Sequence, residues 1–177
     1  MMKPIQLGFS LLCPLFCASL VLADDVTIYQ VFDHAKQSHF PAPTEEIEFH
    51  KKKGLQDKYI NRGPVFVGES EEGDDRTRLY RWYHPQSDLR FVGFELPPGV
   101  TGLRVDTFEV YVWRKQKEGL VPVYCSVAPN GTDAYFTTDP EEHKKKLTDD
   151  WKSKKIRRRN LKVVFYAKPV PKKTAAP

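Results

Sequence analysis

Tyr124-Cys125-Ser126-Val127-Ala128-Pro129-Asn130-Gly131-Thr132-Asp133-Ala134-Tyr135-Phe136-Thr137-Thr138-Asp139-Pro140-Glu141-Glu142 is the stretch that decides the fold. An opening Tyr, a polar turn centred on Asn130-Gly131 and a second aromatic eleven residues after the first describe a β-hairpin. Asp139 before Pro140, with Glu142 three residues on, is a helix start: an N-cap, a proline at the first helical position and acid in the first turn. His143, Leu147 and Trp151 then recur at intervals of four, which gives the helix one face to bury. Val164-Phe165-Tyr166 supplies a closing strand.

The same order of elements occurs twice more upstream. Tyr29-Gln30-Val31-Phe32 and Tyr80-Arg81-Trp82-Tyr83 open units whose second aromatics, Phe40 and Phe91, again stand eleven residues after the Tyr. Their turns are Asp33-His34-Ala35-Lys36 and His84-Pro85-Gln86-Ser87, and their closing strands are Val65-Phe66-Val67 and Val110-Tyr111-Val112. In the first unit Thr44 to Lys53 repeats the helical pattern, with Gly54 placed to end it. In the second, Leu96-Pro97-Pro98-Gly99 excludes a helix. The repeats run over about 28–68, 79–114 and 123–168. Three such units predict a mainly β fold with short helices, arranged as a pseudo-threefold, β-trefoil-like closed domain. Closure hides strand edges that an open array of three repeats, without capping units, would expose.

These residues resemble a family of secreted tyrosine-rich repeats of unknown function. Its unit runs Tyr-x-x-Tyr/Phe, Asn-Pro with a Gly-Asp turn, His-Phe-Tyr-Thr-Thr, an acidic helix start and a Val/Ala-Phe-Tyr closing strand. The third unit matches best, through Ala128 to Asp139. The first keeps Ser38-His39-Phe40 and the helix but lacks the Asn-Pro and Gly-Asp pairs. The second keeps His84-Pro85 and Phe91 and carries Arg90 where the motif has His. The resemblance covers Ile28 to Lys168 in outline. Because such repeats stand beside glycan-active modules in extracellular proteins, it implies carbohydrate recognition.

The boundaries follow from the rest of the chain. Residues 1–23 read as a secretory signal: Lys3, an apolar run from Leu7 to Leu22 broken by Pro14, and Val21 and Ala23 at the small-residue positions. The run is too short and interrupted to be a span of about 20 residues, so a secreted protein without a membrane span is expected. Residues 24–170 form one domain and 171–177 a flexible tail. Of three cysteines only Cys125 lies beyond the signal, so no internal disulfide is possible there and packing alone must hold the domain. Cys125, in an aromatic-rich strand, reads as a buried small hydrophobe.

No catalytic constellation is present in the sequence: no Gly-rich phosphate loop, no His-Glu-x-x-His, no Gly-x-Ser-x-Gly elbow and no cysteine pair for zinc. A non-enzymatic protein without cofactor or metal is expected. The leading reading is extracellular recognition of glycans or acidic matrix polymers. A structural matrix scaffold and a trefoil-type protease inhibitor are the alternatives. Arg81, Trp82 and His84 are the candidate exposed ligand-binding residues, since a Trp platform with polar neighbours suits a sugar ring. Histidine at the repeat position, His39, is expected to be hydrogen-bonded and structural.

Charge is unevenly spread: 14 Lys and Arg against 19 Asp and Glu from Asp24 to Pro140, then 13 against 4 from Glu141 to Pro177. Lys144, Lys145, Lys146, Lys152, Lys154, Lys155, Arg157, Arg158 and Arg159 are expected to point outward from the second helix and its end, as a polyanion-binding face. Outside the cell the polyanion would be an acidic polysaccharide, matrix protein or lipid, and nucleic acid is not an expected partner. Asn130-Gly131-Thr132 is the sequence's one N-glycosylation sequon. Asn130 is expected to carry a glycan, and an unchanged mass after glycosidase treatment of the secreted protein would exclude it.

Overall fold

The eleven-residue Tyr-to-aromatic spacing becomes one hairpin register, three times over. In the computed structural model, β1 (Asp25–Asp33) pairs with β2 (Ser38–Pro43), β4 (Arg76–His84) with β5 (Leu89–Gly93), and β8 (Val121–Val127) with β9 (Ala134–Thr137), all antiparallel. Val31 faces Phe40, Trp82 faces Phe91 and Ser126 faces Tyr135. The structure describes residues 23–171 except 87, 97–100, 107, 130–132 and 155–156. The expected signal up to residue 22, the Asn130 turn and sequon, Pro97-Pro98-Gly99, Lys155 and the tail from 172 therefore lie outside the described residues. So do the side chains of Trp151 and Lys154.

Each hairpin is completed by a closing strand on the free edge of its first strand. β3 (Tyr59–Glu69) sets Ile28 opposite Phe66 and Val31 opposite Asn61. β10 (Arg159–Ala167) sets Val123 opposite Phe165 and Ser126 opposite Asn160. In the second unit the strand is split, with β6 (Arg104–Val105) placing Val105 opposite Trp82 and β7 (Val110–Trp113) placing Val110 opposite Leu79. The fold is mainly β, and its two helices, α1 (Thr44–Lys52) and α2 (Pro140–Lys154), connect hairpin to closing strand in units one and three.

The closing strands also meet one another. Glu69 of β3 pairs with Tyr111 of β7, and Trp113 of β7 with Tyr166 of β10. Beyond β10, Lys168 exchanges two backbone hydrogen bonds with Val67 of β3, at 2.9 and 3.0 Å. Gly68 lies where β3 and β7 approach. A Cβ there would come within 2.2 Å of Val110 Cγ2 and 2.9 Å of the Tyr111 carbonyl, so no larger residue fits without displacement.

Local signals set the irregular points. Asp139 Oδ1 accepts the amides of Glu141 and Glu142 at 2.8 and 3.3 Å, the cap expected for α2. Gly54, at φ +66°, ends α1: its amide reaches the Lys51 carbonyl and Leu55 reaches that of His50, a Schellman closure. Bulges in β3 and β10 repeat one device. In Asn61-Arg62-Gly63 and Asn160-Leu161-Lys162, the Asn Oδ1 accepts the amide two residues on, at 2.8 Å in both, and that residue has positive φ.

The core is where the equivalent side chains converge. Phe66, Val110 and Phe165 hold the same register position in the three closing strands, and all three are buried. The Phe165 ring lies 5.1 Å from Phe66, 6.0 Å from Phe94 and 6.1 Å from Phe136, so it touches all three units. A second cluster of Val31, Phe40, Ala42 and Ile47 lies under α1. Phe165→Ala is expected to cost about 3–5 kcal/mol and to leave a single unfolding transition for the whole domain. Urea unfolding followed by fluorescence and by circular dichroism checks it; two separated midpoints would show that the units do not share this core.

Candidate functional site

Hairpin strands β2 and β9 need partners for backbone groups outside their own hairpins, and side chains of neighbouring units provide them. Gln30, one position after the first Tyr, donates from Nε2 to the Phe40 and Ala134 carbonyls at 3.3 and 3.4 Å, and its Oε1 accepts the Phe136 amide at 2.8 Å. Arg81 holds the same position in unit two. Its Nη1 donates to the Pro41 carbonyl at 2.8 Å, its Nη2 to Glu46 at 2.7 Å and its Nε to Asp106 at 2.8 Å. Cys125 has this position in unit three; it is buried, and burial pushes its thiol up to about 12.

These contacts correct one expectation. Arg81 and Trp82 are not exposed: they are 3% and 5% accessible. Both faces of β4 are covered. Arg81 crosses into unit one, and Trp82 lies beside Tyr80 with ring centroids 5.5 Å apart, between strands that bring Phe91 and Val105 opposite it. His84, at the end of β4, is half-buried and does not join a site with them.

A cleft of about 660 Å³ opens where α1 meets unit two. Unit one contributes Glu45, Glu46, Phe49, His50 and Tyr59; unit two contributes Arg81, Arg90, Asp106, Phe108 and Glu109. The split between β6 and β7 places Asp106, Phe108 and Glu109 on its wall. Phe49 is 52% exposed, although it sits on a helix whose neighbours Ile47 and His50 are buried. The His50 ring stacks on Tyr59, 4.4 Å between centroids and 21° between planes, and its Nε2 stands 3.7 Å from Glu46. Burial lowers His50 below its ordinary value against the raising effect of Glu46, and its buried Nδ1 has no hydrogen-bond partner. The Arg90 guanidinium lies 4.5 Å from the centre of the Phe40 ring.

A smaller cleft of about 170 Å³ occupies the corresponding junction between units three and one, with Gln30, Arg62, Tyr135 and Glu142 among its walls. The charges are rearranged. At the larger cleft an Arg comes from the hairpin strand and Asp106 from the break between β6 and β7; at the smaller, Gln30 comes from the hairpin strand and Arg62 from the closing strand. Tyr135 donates its hydroxyl to Glu142 at 2.7 Å, and Thr137 also contacts that carboxylate. Among the described residues, no group of three His, Cys, Asp or Glu side chains could hold a metal ion, and no helix is long and apolar enough to cross a membrane.

The basic segment divides in a way the run of cations does not reveal. Arg158 points inward: its guanidinium meets Asp133 at 2.5 Å, Asp150 at 3.2 Å, Ser126 Oγ at 3.0 Å and the Asp133 carbonyl at 2.8 Å. Lys146 pairs with Asp150 at 3.2 Å and Lys144 with Glu141 at 2.6 Å. Lys145, Lys152, Arg157 and Arg159 are exposed. An ion pair buried with Asp133, not repulsion into solvent, decides where Arg158 goes. Lys155 lies outside the described residues, as does the Lys154 side chain.

Asp133 also receives His39 from unit one, through both the backbone amide and Nδ1 at 2.8 Å. Burial alone would raise the Asp133 carboxyl; the hydrogen bonds from His39 and Arg158 outweigh it and hold the group well below the usual carboxylate range. An ionised carboxylate only accepts, so Nδ1 of a neutral His39 is the protonated nitrogen. His39 is thus the hydrogen-bonded structural residue that its place in the repeat predicts.

A family model described as a domain of unknown function, DUF5648, matches residues 101–161. No curated protein and no solved structure matches the chain. The matched segment begins before β6 and ends within β10. It therefore contains the wall residues Asp106 and Phe108 and the whole hairpin and helix of unit three, but not α1.

The buried histidines give the fold a pH dependence. Burial lowers His39 and His50, so the unfolded chain binds protons near pH 6.5 that the folded chain does not. Their contribution is complete above that pH and declines as the pH falls below it. The urea midpoint is expected to drop between pH 7 and pH 5, and His39→Gln to flatten that slope. An unchanged slope in the variant would refute the assignment. Separately, Arg158→Leu, which leaves Asp133 to His39 and takes a partner from buried Asp150, is expected to cost about 3–5 kcal/mol in urea unfolding.

Proposed function

We propose that this is a secreted, non-enzymatic recognition protein that binds carbohydrate in the cleft beside α1, on a β-trefoil-like domain with pseudo-threefold closure. The observation that carries the reading is the combination found at that cleft. Phe49 offers an exposed aromatic face for the apolar side of a sugar ring, while His50 and Arg90 bring buried polar atoms that lack partners. A volume of about 660 Å³ suits a small ligand.

Support for a binding rather than a hydrolytic role comes from the acids. Glycoside hydrolysis requires two carboxyl groups available on either side of the scissile bond. Glu46 and Asp106, the cleft's most enclosed pair, are both held by Arg81, Glu109 is paired with Arg78 at 3.0 Å, and Glu45 is exposed in the first turn of α1. Support for threefold closure comes from register. Three hairpins with the same facing pairs, three closing strands with the same facing pairs, and backbone pairing of each closing segment with the other two are the relations such closure requires. The exposed cations Lys145, Lys152, Arg157 and Arg159 support a smaller polyanion-attracting surface than the sequence run suggests. The leader sequence supports secretion.

The test is a glycan array probed with the purified protein, followed by titration of the best ligand into wild type and Phe49→Ala. Phe49 is half exposed, so the variant is expected to keep its melting temperature while losing at least tenfold in affinity. Absence of binding to any glycan, or full binding by a folded Phe49→Ala, would overturn the proposal.

A further inference from the structure

Arg90 breaks a rule that the other buried guanidiniums obey. Arg81 is held by Glu46 and Asp106, and Arg158 by Asp133 and Asp150. Arg90 is half-buried, and among the described residues no carboxylate comes within ion-pairing distance of it. Its neighbours are rings instead: Phe40 at 4.5 Å, Tyr83 at 5.7 Å and Tyr59 at 5.9 Å from its central carbon. Its Nε is buried and makes no hydrogen bond. A half-buried cation whose neighbours are rings keeps at least its Nε donor unsatisfied, and a planar guanidinium set among rings is preorganised for a bidentate acceptor.

The surroundings narrow that acceptor. Tyr59 touches both Arg90 and His50, so the unpaired guanidinium and the unpartnered imidazole nitrogen share one wall of the cleft. The neighbouring carboxylates do not compete for Arg90, since Glu46 and Asp106 are committed to Arg81 and Glu109 to Arg78. A cationic ligand would therefore find the enclosed acids Glu46 and Asp106 already paired and only the exposed Glu45 outside such pairs, whereas an anionic one would find a guanidinium that no carboxylate among the described residues pairs. His50, lowered by burial, is neutral and suits a hydroxyl rather than a second charge.

We infer that the cleft takes a sugar bearing a carboxylate, of the uronic acid class, with Arg90 pairing the carboxylate and His50 bonding a ring hydroxyl. This rests on the carbohydrate reading above and adds the ligand's charge to it. Arg90 stands where the repeat motif has His and where unit one has His39. In unit one that position serves a protein carboxylate, Asp133, through His39. In unit two the corresponding side chain lacks one, and the ligand supplies it.

The experiment compares a disaccharide ending in glucuronic acid with the same-linkage neutral glucose disaccharide, by calorimetric titration of the secreted protein at 0.15 M salt. Wild type is expected to bind the acidic sugar at least tenfold more tightly. Arg90→Gln is expected to abolish that preference and Arg90→Lys to retain part of it, with melting curves recorded for each. The wild-type comparison needs no variant and decides the matter even if Arg90→Gln does not fold. Equal affinity for both sugars would overturn the acidic specificity and leave carbohydrate recognition standing. Binding of neither, with no binding on the array, would overturn both.

Discussion

A strand at the outside of a hairpin pairs along one edge, and the backbone groups on its other edge need partners wherever water is excluded. Here the units supply those partners to each other through single side chains. Gln30 reaches from β1 to the backbone of β9, and Arg81 from β4 to that of β2. The remaining architecture depends on these crossings, because the domain has no disulfide to fix one unit against the next. They are also directional: each side chain must be long enough to span a junction and must present the right donors at its end. Hydrophobic convergence around Phe165 supplies most of the cohesion, while the crossings set how the units are oriented.

Where a crossing side chain is charged, it draws acids from two units into one place. Arg81 gathers Glu46 and Asp106, and the larger cleft forms around that cluster. Where the crossing side chain is neutral, as with Gln30, the junction closes to a smaller volume. The larger cleft is thus centred on a structural ion-pair cluster, with Asp106, Phe108 and Glu109 from the break between β6 and β7 on its wall.

The hairpins were legible in the sequence because register in a hairpin is local: the turn length and the aromatic spacing determine which residues face each other. The α2 cap was legible for the same reason. What escaped was anything whose partner lies far along the chain. Alternation assigns one side of a strand to solvent, yet β4 is covered on both sides, so Arg81 and Trp82 are both buried. Arg158 looks like one more cation in a basic run until Asp133, 25 residues away, and Asp150 are folded against it. The cleft residues Glu46, His50, Tyr59 and Asp106 carry no motif of their own. Arg90 did carry a signal, its substitution at the histidine position of the repeat. The paired bulges at Asn61 and Asn160 were also present as a repeated Asn placed five residues before a core Phe.

Cys125 takes the third crossing position, where neither a Gln nor an Arg is present. With its side chain sealed in the core and its ionisation pushed up to about 12, the thiol is almost wholly protonated at any physiological pH. A thiolate is the nucleophile that attacks alkylating reagents and disulfides, and the folded protein presents almost none. Modification of this sulfur therefore has to wait for the core around it to separate. The rate at which Cys125 becomes labelled in native buffer reports how often the core around it opens.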